Sequence, residues 1–182
     1  MAITAKAVAE LREKTGVGMM ECKKALTEAD GSLDEAIKLL RERGLAVAAK
    51  KASRIAAEGI VDILYCEKSK TAVMIEVNAE TDFVSKNESF QEFVRGCLEV
   101  ILKEKPANVD ELMTKTYSDG SGATVDAALK EKIMQIGEKI SVRRFVIVEG
   151  ILSTYIHNKG AIGVVVAVNA DDINSIFGKF GV

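Results

Sequence analysis

The sequence predicts an α+β protein: a three-helix N-terminal unit, a helical linker, and a core of two related hairpin-and-helix subdomains, the second incomplete. Helical periodicity runs through the N-terminal segment, and β-branched residues alternate with polar ones from Glu58 onward. A repeat supplies the third observation. Glu58-Gly59-Ile60 returns as Glu149-Gly150-Ile151, and Val77-Asn78-Ala79 returns as Val168-Asn169-Ala170, 91 residues later in both cases. Chance overlap rarely preserves the intervening length, so the pattern reads as a duplicated hairpin.

Taken in order, Thr4 can cap a first helix with Val8 and Leu11 on one face. Cys22, Ala25, Leu26 and Ala29 follow the i, i+3, i+4, i+7 spacing of a second. Ser32, with Glu35 three residues on, has the form of a capping box for a third, which Gly44 should stop. Met19 and Met20 are neighbours, so they cannot both point into one small core; one should project outward, as contact or as rim. These helices define a unit over residues 1–45. The Ala-rich stretch 46–57, with Lys50 and Lys51, reads as a helical linker whose lysines form a solvated face or a contact.

The first core subdomain, 58–140, opens with strands at Gly59–Cys66 and around Val73, Ile75 and Val77. Phe90, Phe93, Val94, Cys97, Leu98, Ile101 and Leu102 form a complete helical stripe ending before Pro106, and a further helix is expected from Thr124 to Ile136. The second, 141–182, contains β-branched runs at 142–148 and 162–168 but ends in INSIFGKFGV, which offers no comparable covering helix. An apolar sheet face left uncovered calls for a partner or a second copy.

The bulk numbers exclude several functions. A net charge of -2 gives no field for holding a polyphosphate backbone, so nucleic acid is not the expected partner. No apolar run approaches a membrane span, and the N-terminus is neither a signal nor a transit peptide. Cys22, Cys66 and Cys97 are scattered and odd in number, as suits a reducing cytoplasmic location. With one histidine, His157, and widely spaced cysteines, neither a metal site nor a cofactor is expected. Nucleotide-loop and nucleophile-elbow motifs are lacking, so the chain reads as a protein-binding factor, not an enzyme.

One motif stands at the end of the first hairpin: Thr81-Asp82-Phe83-Val84. An aromatic at a strand-to-helix junction either roofs the core or protrudes as a wedge. TGVGMMECKKAL (Thr15 to Leu26), EVNAETDFVSKN (Glu76 to Asn87), IGEKISVRR (Ile136 to Arg144) and YIHNKGAIGVVV (Tyr155 to Val166) together resemble bacterial translation elongation factor Ts, in order and over nearly the whole chain. The resemblance implies guanine-nucleotide exchange on elongation factor Tu, in its GDP-bound and nucleotide-free forms. It assigns Asp82 and Phe83, flanked by Thr81 and Val84, to a wedge that enters the partner's G domain and disturbs its magnesium and phosphate contacts. It further implies that the N-terminal unit is a ubiquitin-associated-like module contacting that domain through Arg12, Met19 and Met20. A weaker match assigns His157 to a contact near the phosphate-binding loop. Longer members of the family continue past the second hairpin, and short members dimerise, so a truncated form or a homodimer fits equally. A passive binding module without exchange activity is the alternative.

Overall fold

The computed structural model describes residues 3–168. Helix α1 (Ala5–Thr15) starts where the Thr4 hydroxyl accepts the Ala7 N–H, satisfying one of the free donors of the first turn. It stops at Gly16 in the left-handed region. Helix α2 (Met19–Glu28) and the N-terminal half of α3 (Leu33–Lys51) pack on it around Leu11, Val17, Cys22, Leu26, Ala36 and Leu40. Only half of the expected capping box forms. Ser32 accepts the Glu35 N–H, while the Glu35 carboxylate takes an ion pair with Lys38 one turn on.

Gly44 does not end the third helix, which continues through it to Lys51. The expected stop and the first half of the linker are thus one element. Its burial gives the reason: a Cβ at Gly44 would lie 3.6 Å from the Lys130 carbonyl and the Met134 sulfur. The glycine sits at a helix–helix contact, and the surrounding Ala and Lys residues carry the helix past it. Lys51 is accordingly half-buried and donates to the Gly137 carbonyl at 2.6 Å.

Strands β1 (Glu58–Cys66), β2 (Thr71–Ala79) and β3 (Ile140–Glu149) form one antiparallel sheet in that order. The run around 142–148, placed by the sequence pattern at the opening of the second subdomain, therefore pairs with the first. Between β2 and β3 come α4 (Asp82–Ser85), α5 (Glu88–Glu104), α6 (Val109–Thr114) and α7 (Val125–Ile136). The α5 stripe lies on the sheet face formed by Ile60, Val73, Ile75 and Val77. Phe90, Phe93, Leu98 and Ile101 are fully buried there, each stabilising the fold by about 1.5–3 kcal/mol. Helix α6 was not expected: its six residues are too few to show a period, although Asn108 caps it by accepting the Glu111 N–H.

Strands β4 (Ile151–His157) and β5 (Ile162–Val168) form a separate hairpin. It lies against the face of the first sheet opposite α5, so closely that a Cβ on Gly163 would meet Val61 and Met74. Shifted by 91 residues, each pair of the first hairpin from Ile60↔Val77 to Cys66↔Thr71 falls on a pair of the second, from Ile151↔Val168 to His157↔Ile162. Gly59 and Gly150, equivalent under that shift, share positive φ values of 142° and 127°. Asn169, Ala170 and the INSIFGKFGV tail lie outside the described residues.

Candidate functional site

The strand-to-helix motif sits on α4, a single turn between β2 and α5. Val84 is buried in the core and anchors it. Phe83 points the other way and is 77% exposed. Leaving such a ring in water forgoes about 1.5–3 kcal/mol of burial, so the roofing role does not describe it. Lys86 steadies the exposed side, with its Nζ 2.8 Å from Asp82 Oδ2 and 5.6 Å from the centre of the Phe83 ring. The hydrogen bond and charge of Lys86 hold the Asp82 carboxyl below the usual range. Ser85 Oγ donates to the Asp82 carbonyl at 2.5 Å, and Gln91 Nε2 donates to the Ser85 carbonyl at 2.9 Å.

A set of charged residues not singled out in the sequence braces the approach to this turn. The last backbone pair between β2 and β3 is Ala79↔Ile140. One step on, Glu80 Oε1 accepts the Lys139 N–H at 2.6 Å and is approached by Arg54 at 3.3 Å. The Lys139 N–H bond leads in holding the Glu80 carboxyl below its ordinary value. Two steps on, the two oxygens of Glu138 accept the Thr81 N–H at 2.9 Å and the Thr81 hydroxyl at 2.8 Å. Lys139 Nζ donates to the carbonyls of Ala52 and Arg54, both at 2.7 Å. The signal for this cluster was present as Glu138-Lys139 within IGEKISVRR, but sequence spacing alone does not pair them with Glu80 and Thr81.

The remaining candidates stand on other elements. Arg12 is an exposed residue of α1. Met19 and Met20 open α2 and are 54% and 66% exposed, so both project where one was expected to. Gly18, ahead of them, makes no side-chain cap, which leaves the first turn of α2 unobstructed. His157 ends β4, exposed, with its Nδ1 2.9 Å from the Tyr155 hydroxyl. Among the described residues, no helix is long and apolar enough to cross a membrane.

Fold and surface together define an α+β body with an appended three-helix module and a braced, outward-pointing Asp-Phe turn. Residues 80–179 match the family model described as Elongation factor TS. The chain is 49% identical over 177 residues to "Elongation factor Ts" of Clostridium novyi (strain NT), covering 96% of this chain and 58% of that protein. It is 45% identical over 174 residues to "Elongation factor Ts" of Trichlorobacter lovleyi, covering 94% of this chain and 56% of the relative. This chain belongs to the elongation factor Ts family. It spans slightly more than half the length of these relatives.

Proposed function

We propose that the chain is a guanine-nucleotide exchange factor for elongation factor Tu, acting in the cytoplasm through protein contact and not through bond chemistry. The observation that carries this reading is the 77% exposure of Phe83 on a turn whose next residue, Val84, is buried. A ring held out on a rigid stem can enter a partner's core as an anchor, and such anchors supply several kcal/mol of binding. Asp82 leads it and, once freed from Lys86, offers a carboxylate at the partner's magnesium and phosphate site. No active site is needed. If the factor and GDP each weaken the other's binding, the coupling is reciprocal. A roughly 10⁴-fold effect needs about 5.5 kcal/mol of differential binding.

Arg12 with the exposed Met19 and Met20 forms a second contact on a ubiquitin-associated-like module, and His157 a third. Flexible thioethers suit an adaptable protein surface. The core is read as two copies of one unit, the second incomplete, which the shared pairing register and the Gly59 and Gly150 conformations support. The apolar outer face of the β4–β5 hairpin makes a second copy of this chain a further partner.

Release of a fluorescent GDP analogue from the GTPase tests the wedge. Phe83→Ala should slow factor-stimulated release at least tenfold with little change in melting temperature, because the ring makes little of the fold. Unchanged release would leave a passive binding module. A large loss of stability would return Phe83 to the core.

A further inference from the structure

The braced junction ahead of the turn points to a role for Glu138, which lies 57 residues from Thr81 in the chain and outside the exposed surface of the turn. Where β2 and β3 part, the backbone ladder ends at Ala79↔Ile140. Two carboxylates continue it crosswise: Glu80 reaches across to the Lys139 N–H, and Glu138 reaches back to the Thr81 N–H and hydroxyl. Each side chain takes the place of a main-chain acceptor for one further step. Bonds from N–H or O–H donors to a carboxylate are shorter and stronger than neutral ones.

The consequence falls on the next residues. Thr81 would ordinarily cap α4, but its hydroxyl is turned toward Glu138, to which it donates, and it makes no cap bond to the helix. A four-residue helix has almost no cooperative stability of its own, so its direction is set by its two ends. Val84 fixes one end in the core, and Glu138 fixes the other. We propose that Glu138 is a positioning residue for exchange, which holds Thr81 so that Asp82 and Phe83 leave the sheet at a set angle. This rests on the wedge reading above. Lys139 and Lys51 link the same junction to the end of α3, so the N-terminal module and the turn share one brace.

For a reacting group, misplacement by about 1 Å can cost up to about a hundredfold in rate, and the expected loss for a misaimed wedge is smaller. Glu138→Ala should lower the maximal rate of stimulated GDP release by about tenfold, while the factor concentration at half-effect changes less than about threefold. Glu138→Gln, which keeps an acceptor for the Thr81 N–H, should recover most of that loss. In an Asp82→Ala, Phe83→Ala background, Glu138→Ala should add less than about twofold, because both groups it positions are then gone. Full additivity in that background would overturn the inference, as would an unaffected Glu138→Ala beside a slowed Phe83→Ala. If Phe83→Ala itself leaves release unchanged, the wedge reading fails first and the positioning role with it. Should Glu138→Ala fail to fold, Thr81→Val, which removes only the hydroxyl bond, must show a partial loss of maximal rate or the proposal falls.

Discussion

Neighbouring residues in the turn have opposite fates, and the difference is geometric. Val84 is buried and Phe83 is exposed because one turn of helix cannot place successive side chains on one face. The Thr81-Asp82-Phe83-Val84 motif was legible as a candidate site, yet composition could not decide whether the ring is buried or exposed; the direction of the turn does. Glu80 was not legible at all, since its partners lie on the Lys139 backbone and on Arg54. Its carboxyl is held below the ordinary value of 4.5, chiefly by the Lys139 N–H. The unfolded chain therefore binds a proton more readily than the folded one in this range. The stabilising contribution is fully present above about pH 4.5 and is lost as pH falls through the depressed folded value. Melting temperatures followed from about pH 6 to about pH 3 should fall less steeply for Glu80→Gln than for the wild type. Parallel curves would show that the bracket carries no pH-dependent stability.

At the level of elements, long periodic segments were the readable ones. The α5 stripe and the alternation of β2 appear as buried faces because each spans enough residues to show a period. Gly44 misled because glycine serves two purposes, ending a helix or letting two helices approach. Sequence gives the residue but not the neighbour that decides between them. Here the neighbour is α7, and Gln135 of that helix also donates to the Thr15 carbonyl at 2.6 Å, tying the module to the core at a second point. A Cβ at 3.6 Å from its nearest atoms is ordinary contact, so there is room for a methyl but for little more. Gly44→Ala should stabilise the chain by roughly 0.5–1 kcal/mol through helix propensity, while Gly44→Leu should cost about 1–3 kcal/mol by forcing α3 and α7 apart. Denaturant midpoints for the two variants provide the check. A loss in both would mean that the helices touch more tightly than described.

For the molecule as a whole, the repeat turns a local exposure into a statement about assembly. Under the shift of 91 residues, Ile60, Leu64, Val73 and Ile75 of the first hairpin correspond to Ile151, Tyr155, Val164 and Val166 of the second. The first set lies beneath α5 or packs against the core around it. The second set is 37%, 60%, 41% and 48% exposed, with Ile162 beside it at 55%. The hairpin's other face is already taken up against β1, so turning it over would only expose that face instead. A sheet face exposing these apolar side chains, interrupted by Ser153 and His157, suits a partner surface, and a second copy of the chain offers an identical face for symmetric contact. Sedimentation across a concentration series should show reversible self-association, and Val166→Lys should abolish it while leaving the melting curve almost unchanged. The lysine enters at a position 48% exposed, where its stem can lie along the sheet and its amine reach water, so a folding defect is not expected. If the unmodified chain sediments as a single monomeric species and its amides are strongly protected from exchange through Val168, the face is covered within the chain and the dimer is wrong.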